Sequence, residues 1–270
     1  MILTDYLING QQLTGEHSNL IVGTTHFTNI SPRINSVTVN GRNGVMLPAG
    51  PVAFDAPEIT LKFITDGSSA DALMHRFYRL CRLASELTRV ERDTVSGLTR
   101  RMTASAVCTS CQPDGDEIPW DDHRAATAVF QLPDVFWRGV QWQEATLGAS
   151  GGRLLPGGWL SNAPIGMLVL RFGAATGVAI ADPVSGTNLM WGGKRDASRP
   201  YLFVDVANRK AWTAANADAW SGGTDASNGV DWTTEPLQVW PAIDSGDYRL
   251  AIKQTGGTDK VVCRFLQSWE

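Results

Sequence analysis

Four cysteines are the first residues in this 270-residue chain that could do chemistry, and two of them form a C-x-x-C motif. Cys108 and Cys111 form the motif, whereas Cys81 and Cys263 stand apart. One pair of thiols supplies only half of the ligands of a tetrahedral zinc site. A redox motif would open a helix in a βαβ unit, but this pair follows the strand-like run MTASAV and precedes the turn-like run QPDGDE. We therefore expect reduced thiols at the end of a strand rather than a redox or metal centre.

An acidic run between residues 114 and 123 is the densest group of possible metal ligands. Several carboxylate oxygens on one loop are what Ca²⁺ and Mg²⁺ prefer, although the spacing differs from that of an EF-hand loop. Acidic residues are also common in exposed hairpin turns. We expect a solvated turn without a metal; if a cation does bind, the candidate ligands are Asp114, Asp116, Asp121 and Asp122.

No arrangement of residues indicates a catalytic centre, so we predict that the protein is not an enzyme and uses no cofactor. The string G-x-S-x-G occurs at 148–152, but a nucleophile elbow needs a strand before the serine and a helix after it. This string lies in a glycine-rich stretch instead. The four histidines do not show the H-E-x-x-H spacing of zinc proteases, and neither a P-loop nor a G-x-G-x-x-G motif occurs.

Tryptophans are concentrated in the second half of the chain, and two of them are candidate contacts for sugar or a protein partner. Trp191, Trp212 and Trp240 fall in strand-like runs, where aromatic side chains fill a sandwich core. Trp220 and Trp232 lie in a long polar loop, where core packing explains a tryptophan less easily. Sugar binding through these two residues is the alternative to a purely structural role.

Arginines on a predicted helix are a candidate subunit interface. Arg76, Arg79 and Arg82 recur at helical spacing on the polar face. The planar guanidinium pairs well with carboxylates across interfaces. A solvated polar face would show the same pattern, so both interpretations stay open.

Composition excludes several classes of protein. Hydrophobic residues make up 43% of the chain, which is enough for a core and excludes a disordered chain. The net charge of −4 is spread evenly, so we expect no direct binding to nucleic acid. The N-terminal sequence has no signal-peptide pattern, and no apolar run is long enough to span a bilayer, so we expect no membrane insertion.

Two domains joined by a linker are expected. The N-terminal domain, 1–140, reads as α+β, with the alternating strand PEITLKFIT followed by one amphipathic helix. Ser68 or Ser69 is its expected N-cap, and its apolar positions run from Leu73 to Leu87. The segment 141–162 is rich in glycine and proline and reads as a linker. The C-terminal domain, 163–270, contains eight short strand candidates separated by turns, which predicts a β-sandwich or barrel. Those candidates are IGMLVLRF, GVAIADP, TNLMWG, PYLFVDVA, RKAWTA, PLQVWPA, DYRLAIKQT and DKVVCRFLQSW.

This order of elements resembles the distal tail protein family of long-tailed bacteriophages, also described as phage tail or minor tail proteins. The turn Gly41-Arg42-Asn43-Gly44, the PEITLKF strand, the single helix and the pair Phe136-Trp137 match the order of that family's N-terminal domain. In the second half, Leu202–Asp205 followed by Arg209–Trp212 is similar to a pair of family strands, and Asp182–Gly186 is similar to a family turn. One turn departs from the family pattern, at Asp244-Ser245-Gly246.

The resemblance implies a structural role at the distal end of a phage tail. It implies an N-terminal domain that forms a ring, usually a hexamer, and a C-terminal galectin-like β-sandwich that projects from it. The implied partners are the tail tube protein, the tape measure protein, and tail-tip, tail-associated and receptor-binding proteins. The implied location is the tail of the virion, after assembly in the host cytoplasm. Because the residues before Ser31 show no core-forming period, we expect them to be irregular and to lie along a neighbouring subunit.

Overall fold

The chain folds mainly into antiparallel β-sheets in the computed structural model, with one α-helix among the residues that the structure describes. Those residues are 2–26, 28–33, 36–38, 40–41, 43, 46, 53–115, 122–155, 161–194, 196–232, 236–257 and 259–270. Two compact units divide the chain. The N-terminal unit comprises Met1–Pro48, Val52–Val140 and Glu270, and the C-terminal unit comprises Ala49–Pro51 and Gln141–Trp269.

Strands of the N-terminal unit form two sheets. In one sheet the strands run side by side in the order β2-β1-β5-β6-β9, and in the other in the order β3-β4-β8-β7. The elements are β1 (Ile2–Ile8), β2 (Gln11–Gln12), β3 (Ser18–Leu20), β4 (Glu58–Asp66), α1 (Ala70–Arg82), β5 (Glu86–Asp93), β6 (Thr99–Ser105), β7 (Val107–Pro113), β8 (His123–Gln131) and β9 (Trp137–Gly139).

Helix α1 packs on the sheet that contains β4, β8 and β7. Phe63 of β4 stacks on Phe77 of the helix, with ring centroids 4.4 Å apart. Asp71 in the first turn suits the positive end of the helix dipole, and it pairs with Arg124 of β8 at 2.8 Å. Ser69 occupies the N-cap position as expected, but its side chain makes no capping hydrogen bond.

Strands of the C-terminal unit also form two sheets, in the orders β10-β19-β12-β15-β16-β17 and β11-β18-β13-β14. The elements are β10 (Gln143–Leu147), β11 (Gly151–Leu155), β12 (Leu168–Phe172), β13 (Gly177–Ala181), β14 (Asn188–Trp191), β15 (Tyr201–Asp205), β16 (Lys210–Ala214), β17 (Thr224–Asp225), a 3₁₀ turn (Ser227–Gly229), β18 (Tyr248–Thr255), β19 (Val261–Phe265) and β20 (Ser268–Trp269).

One apolar core lies between the two sheets of the C-terminal unit, which makes this unit a β-sandwich. Leu170 and Phe172 of β12 enter it from one sheet, and Ile180 of β13 and Leu250 of β18 enter it from the other. All four are almost completely buried. The prediction of a mainly β protein with one helix and a C-terminal sandwich is confirmed.

Four local expectations are wrong. The helix ends at Arg82, so Leu87 belongs to β5 and not to the helix. The segment before Ser31 is not irregular throughout, because β1 pairs along its length with β5 and buries Tyr6 and Ile8. The segment 141–162 is not a linker over its described part, because β10 and β11 pair there with β19 and β18. The run PLQVWPA forms only isolated bridges, Ile165 with Val239 and Pro241 with Tyr248.

Candidate functional site

Ser150 of the G-x-S-x-G string lies at the tip of a hairpin and not on a nucleophile elbow. It stands between β10 and β11, and the backbones of Gly148 and Gly151 hydrogen-bond to each other on either side of it, at 2.9 and 3.1 Å. The element after the serine is a strand, whereas the elbow needs a helix there. The string therefore forms a tight turn.

Carboxylates of the acidic run are engaged locally where the structure describes them. Both carboxylate oxygens of Asp114 accept hydrogen bonds from the Thr127 hydroxyl, at 2.8 and 2.7 Å. Asp122 lies 2.6 Å from Nδ1 of the adjacent His123. Asp116 and Asp121 lie outside the described residues. Across the described part of the chain, no group of three or more His, Cys, Asp or Glu side chains could hold a metal ion.

Arginines of the predicted interface lie on α1, but they differ in their contacts. Arg76 reaches across to β2, where its guanidinium donates to the Gln11 side chain at 3.4 Å and to the Gln12 carbonyl at 3.3 Å. Arg79 and Arg82 are exposed in the last turn of the helix, where positive charge is favourable. Only the last two therefore present their charge outward.

Trp220 belongs to a small second core on the outer face of the six-stranded sheet. The ring meets Phe203 of β15 edge-on, with centroids 5.3 Å apart, and Phe203 in turn stacks on Trp212 of β16. The guanidinium of Arg264 lies 4.0 Å from the centre of the Trp220 ring, which is cation–π distance. Trp212 also donates to the Ala219 carbonyl at 2.9 Å and so holds the loop down. The Trp220 ring is therefore engaged in packing within its own unit.

Trp232 is likewise committed to the structure of its own loop. Its indole N–H donates to the Ser227 carbonyl at 3.1 Å, and the ring packs against the sandwich core. Trp142 is more exposed than either Trp220 or Trp232, at 48%, and its position in the chain offered no reason to select it. Polar loop sequence was therefore a misleading guide, because the loop around residues 215–232 folds back onto the sheet.

Three charged side chains form a cluster across the neighbouring strands β5 and β6 in the N-terminal unit, and the sequence pattern did not predict it. The side chains of Arg89 and Glu91 are paired and only 3% and 11% exposed, and Arg100 of β6 lies 3.7 Å from Glu91. Tyr6 lies beside them and donates its hydroxyl to the Thr25 carbonyl at 3.0 Å. Burial raises the pKa of Tyr6 to about 12 from 10.0, with smaller opposing effects of the Arg89 and Glu91 charges.

Apolar side chains are exposed around the turn between β5 and β6. Ile2 pairs with Asp93 at the end of β5, and the backbone of Asp93 bonds to that of Leu98 across the turn. Ile2, Leu3, Val95 and Leu98 are 62%, 50%, 84% and 56% exposed. We call these four residues the hairpin-tip patch. Exposed apolar groups that share one end of a sheet are typical of an interaction surface.

Comparisons with known proteins find similarity in structure but not in sequence. No protein-family model matches the chain, and no curated protein sequence matches it. Among solved structures, the chain is similar to the SPP1 Dit (gp 19.1) protein, described as a paradigm of the hub adsorption apparatus in phages that infect Gram-positive bacteria. The TM-score is 0.61 at 14% identity, covering 99% of this chain and 100% of that chain.

Two structures of the phage P2 baseplate in its activated conformation, one with Ca and one with Sr, also match. Each has a TM-score of 0.43, 11% identity and 98% coverage of both chains. The match to SPP1 Dit shows the fold: this chain has that fold from one end to the other. None of the described helices is long and apolar enough to cross a membrane.

Proposed function

We propose that this protein is a structural component of a bacteriophage tail tip, of the distal tail type, that acts by assembling and not by catalysis. The observation that carries the proposal is the match to the SPP1 Dit hub protein over both full chains. A fold shared over both units is more informative than one shared sandwich, because a β-sandwich alone serves many functions.

In this role the N-terminal unit forms a closed ring, with a hexamer as the expected size, at the end of the tail tube. The C-terminal sandwich serves as the attachment platform. The partners would be the tail tube protein, the tape measure protein, and tail-tip, tail-associated and receptor-binding proteins. The location would be the distal end of the virion tail, after assembly in the host cytoplasm. Nothing in the described residues favours the carbohydrate-binding alternative, because Trp220 and Trp232 are engaged in packing.

A ring requires a head-to-tail interface between two different patches of neighbouring subunits. The N-terminal unit offers two surfaces of different character. One is the apolar hairpin-tip patch at the end of β1, β5 and β6, and the other is the charged end of α1 with Arg79 and Arg82. We infer that both contribute to subunit contacts, the first through apolar burial and the second through pairing with carboxylates.

The ring can be tested by measuring the mass of the purified protein in solution. Light scattering or native mass spectrometry should give about six copies of the 29.2 kDa chain, and negative-stain electron microscopy should show rings. A monomer that persists at high concentration would contradict the proposal.

The interface can be tested with charge and polarity changes. The double variant Arg79→Glu and Arg82→Glu, and separately Val95→Ser with Leu98→Ser, should shift the assembly toward monomers. Both pairs lie on exposed positions, so the fold should tolerate them. Lys253→Glu, an exposed charge change on β18 of the other unit, is the matched control and should assemble as the wild type does.

A further inference from the structure

Three of the four cysteines meet between α1 and β7, a cluster that the spacing in the sequence does not show. Cys81 is on the buried face of α1, one turn after Phe77, and is 1% exposed. Phe77 stacks on Phe63, and Phe63 pairs with Ala126 of β8. The face of the sheet that carries Ala126 is therefore the face that α1 covers.

A register shift in β7 turns both cysteines of the C-x-x-C motif toward that face. Residues three apart on a regular strand point to opposite faces. Here Cys108 pairs with Phe130, and Cys111 pairs with Ala128, because the ladder shifts between Cys108 and Ser110. Phe130 and Ala128 are both completely buried. Directly opposite residues share a face, so Cys108 and Cys111 both lie on the side covered by α1.

The two cysteines of β7 differ in reactivity. The Cys108 thiol donates to the Ser110 carbonyl at 3.2 Å, and burial raises its pKa. Cys111 is partly exposed on an edge strand. A hydrogen bond from the Cys81 thiol and the positive charge of Arg82 lower the pKa of Cys111, against the effect of its burial. Cys111 is thus the thiol that reacts first, since the thiolate is the nucleophile.

We propose that Cys81 and Cys111 form an oxidisable dithiol, a modification site that a low-molecular-weight disulfide such as oxidised glutathione converts into an intramolecular disulfide joining α1 to β7. All four cysteines are free thiols in the structure. This inference is independent of the proposed tail role, since it depends only on the packing within the N-terminal unit.

The reaction proceeds in two thiol–disulfide exchanges that balance. The Cys111 thiolate attacks oxidised glutathione, forms a mixed disulfide and releases one glutathione thiolate, which takes up a proton. Cys81 then attacks the Cys111 sulfur, and its proton passes to the glutathione thiolate that leaves, which gives the second reduced glutathione. The protein loses two electrons and two protons, and one oxidised glutathione becomes two reduced molecules. The new bond closes the loop that carries β5, β6 and two residues of the hairpin-tip patch, Val95 and Leu98.

Peptide mapping after oxidation tests the proposal directly. The native protein is treated with oxidised glutathione, alkylated and digested with trypsin. Cys81 lies in the tryptic peptide 80–82 and Cys111 in the peptide 102–124. We expect these two peptides to be joined in the wild type and in Cys108→Ser, and to be separate in Cys111→Ser and Cys81→Ala. Cys263, completely buried in the other unit, should stay reduced and alkylate only after unfolding.

A thermal scan gives a second readout, the stability of the folded protein. A chance cross-link is not expected to raise that stability. Oxidation should raise the melting temperature of the wild type and of Cys108→Ser by several degrees and leave that of Cys111→Ser unchanged, because a disulfide stabilises mainly by restricting the unfolded chain.

Arg82→Gln should slow the reaction of Cys111, whereas Arg79→Gln, one turn earlier, should not. The proposal is overturned if only glutathione adducts form, or if the cross-link survives Cys111→Ser and is lost in Cys108→Ser.

Discussion

Individual side chains in this protein show how packing decides between a binding role and a structural role. Trp220 looked available from its polar surroundings in the sequence, yet Arg264 covers its ring at 4.0 Å and Phe203 meets it edge-on. The arginine contributes its cation to the contact. The cluster thus holds a loop on the sandwich, and its loss should affect stability and not ligand binding.

Replacing Trp220 with alanine should lower the free energy of unfolding by about 1–3 kcal/mol, because it removes a half-buried ring and a cation–π contact. Urea denaturation followed by tryptophan fluorescence or circular dichroism measures this. Trp142→Ala is the matched control: at 48% exposure it should cost less than about 1 kcal/mol. Equal and small effects of the two changes would show that the loop does not depend on Trp220.

Tyr6 predicts a pH dependence at the alkaline end. Its pKa in the folded protein, about 12, exceeds the unfolded value of 10.0 because burial disfavours the phenolate. A raised pKa contributes stability that is fully present below pH 10.0 and is lost as the pH rises through about 12.

The variant Tyr6→Phe should therefore lose less stability than the wild type between about pH 9 and pH 12. Near neutral pH it should be less stable by about 0.5–1.5 kcal/mol, because the hydrogen bond to the Thr25 carbonyl is lost. Urea unfolding at several pH values tests both effects. Parallel pH profiles for the two proteins would rule out Tyr6 as the source.

Whole elements could be predicted from the sequence where alternation or helical spacing was undisturbed. Strand β4 shows Ile59, Leu61 and Phe63 on one face, and all three are buried as expected. Helix α1 was found in the same way, although its end was placed too late. The alternation failed for β5, because its inward positions include Arg89 and Glu91, which remain buried only as a pair. A pattern of apolar residues cannot reveal a strand whose buried face carries charges.

Two other elements depended on long-range packing that no local pattern encodes. The C-x-x-C motif gives no sign of the register shift in β7 that brings both sulfurs under α1. The glycine-rich stretch read as a linker because glycine marks turns, yet Gly151 is required for a close approach. Its φ is +97°, and an added Cβ would collide with the Leu250 carbonyl of β18.

Gly151→Ala should accordingly destabilise the C-terminal unit more than an ordinary glycine substitution in a turn. Gly186, with φ of +75° and no atom near its missing Cβ, is the matched control. Gly186→Ala should cost about 1–2 kcal/mol from backbone conformation alone. Gly151→Ala adds a collision with a backbone carbonyl and should cost clearly more, as measured by urea denaturation. Similar losses at both positions would mean that β11 can move away from β18.

At the scale of the molecule, the division into two compact units has a consequence for unfolding. The C-terminal unit contains its own sandwich core around Leu170. In the N-terminal unit, Phe77 stacks on Phe63 beneath α1 and is 1% exposed. A domain with its own core tends to unfold as a cooperative unit. We therefore predict two calorimetric transitions, one for each unit.

Core truncations assign the transitions. Phe77→Ala should cost about 3–5 kcal/mol and Leu170→Ala about 2–5 kcal/mol, because each leaves a cavity in a close-packed interior. Each variant should lower one transition by at least about 5 °C and leave the other within error. Deleting apolar volume in one unit does not change the buried area inside the other, so a common shift of both transitions in both variants would show that the two units unfold as one.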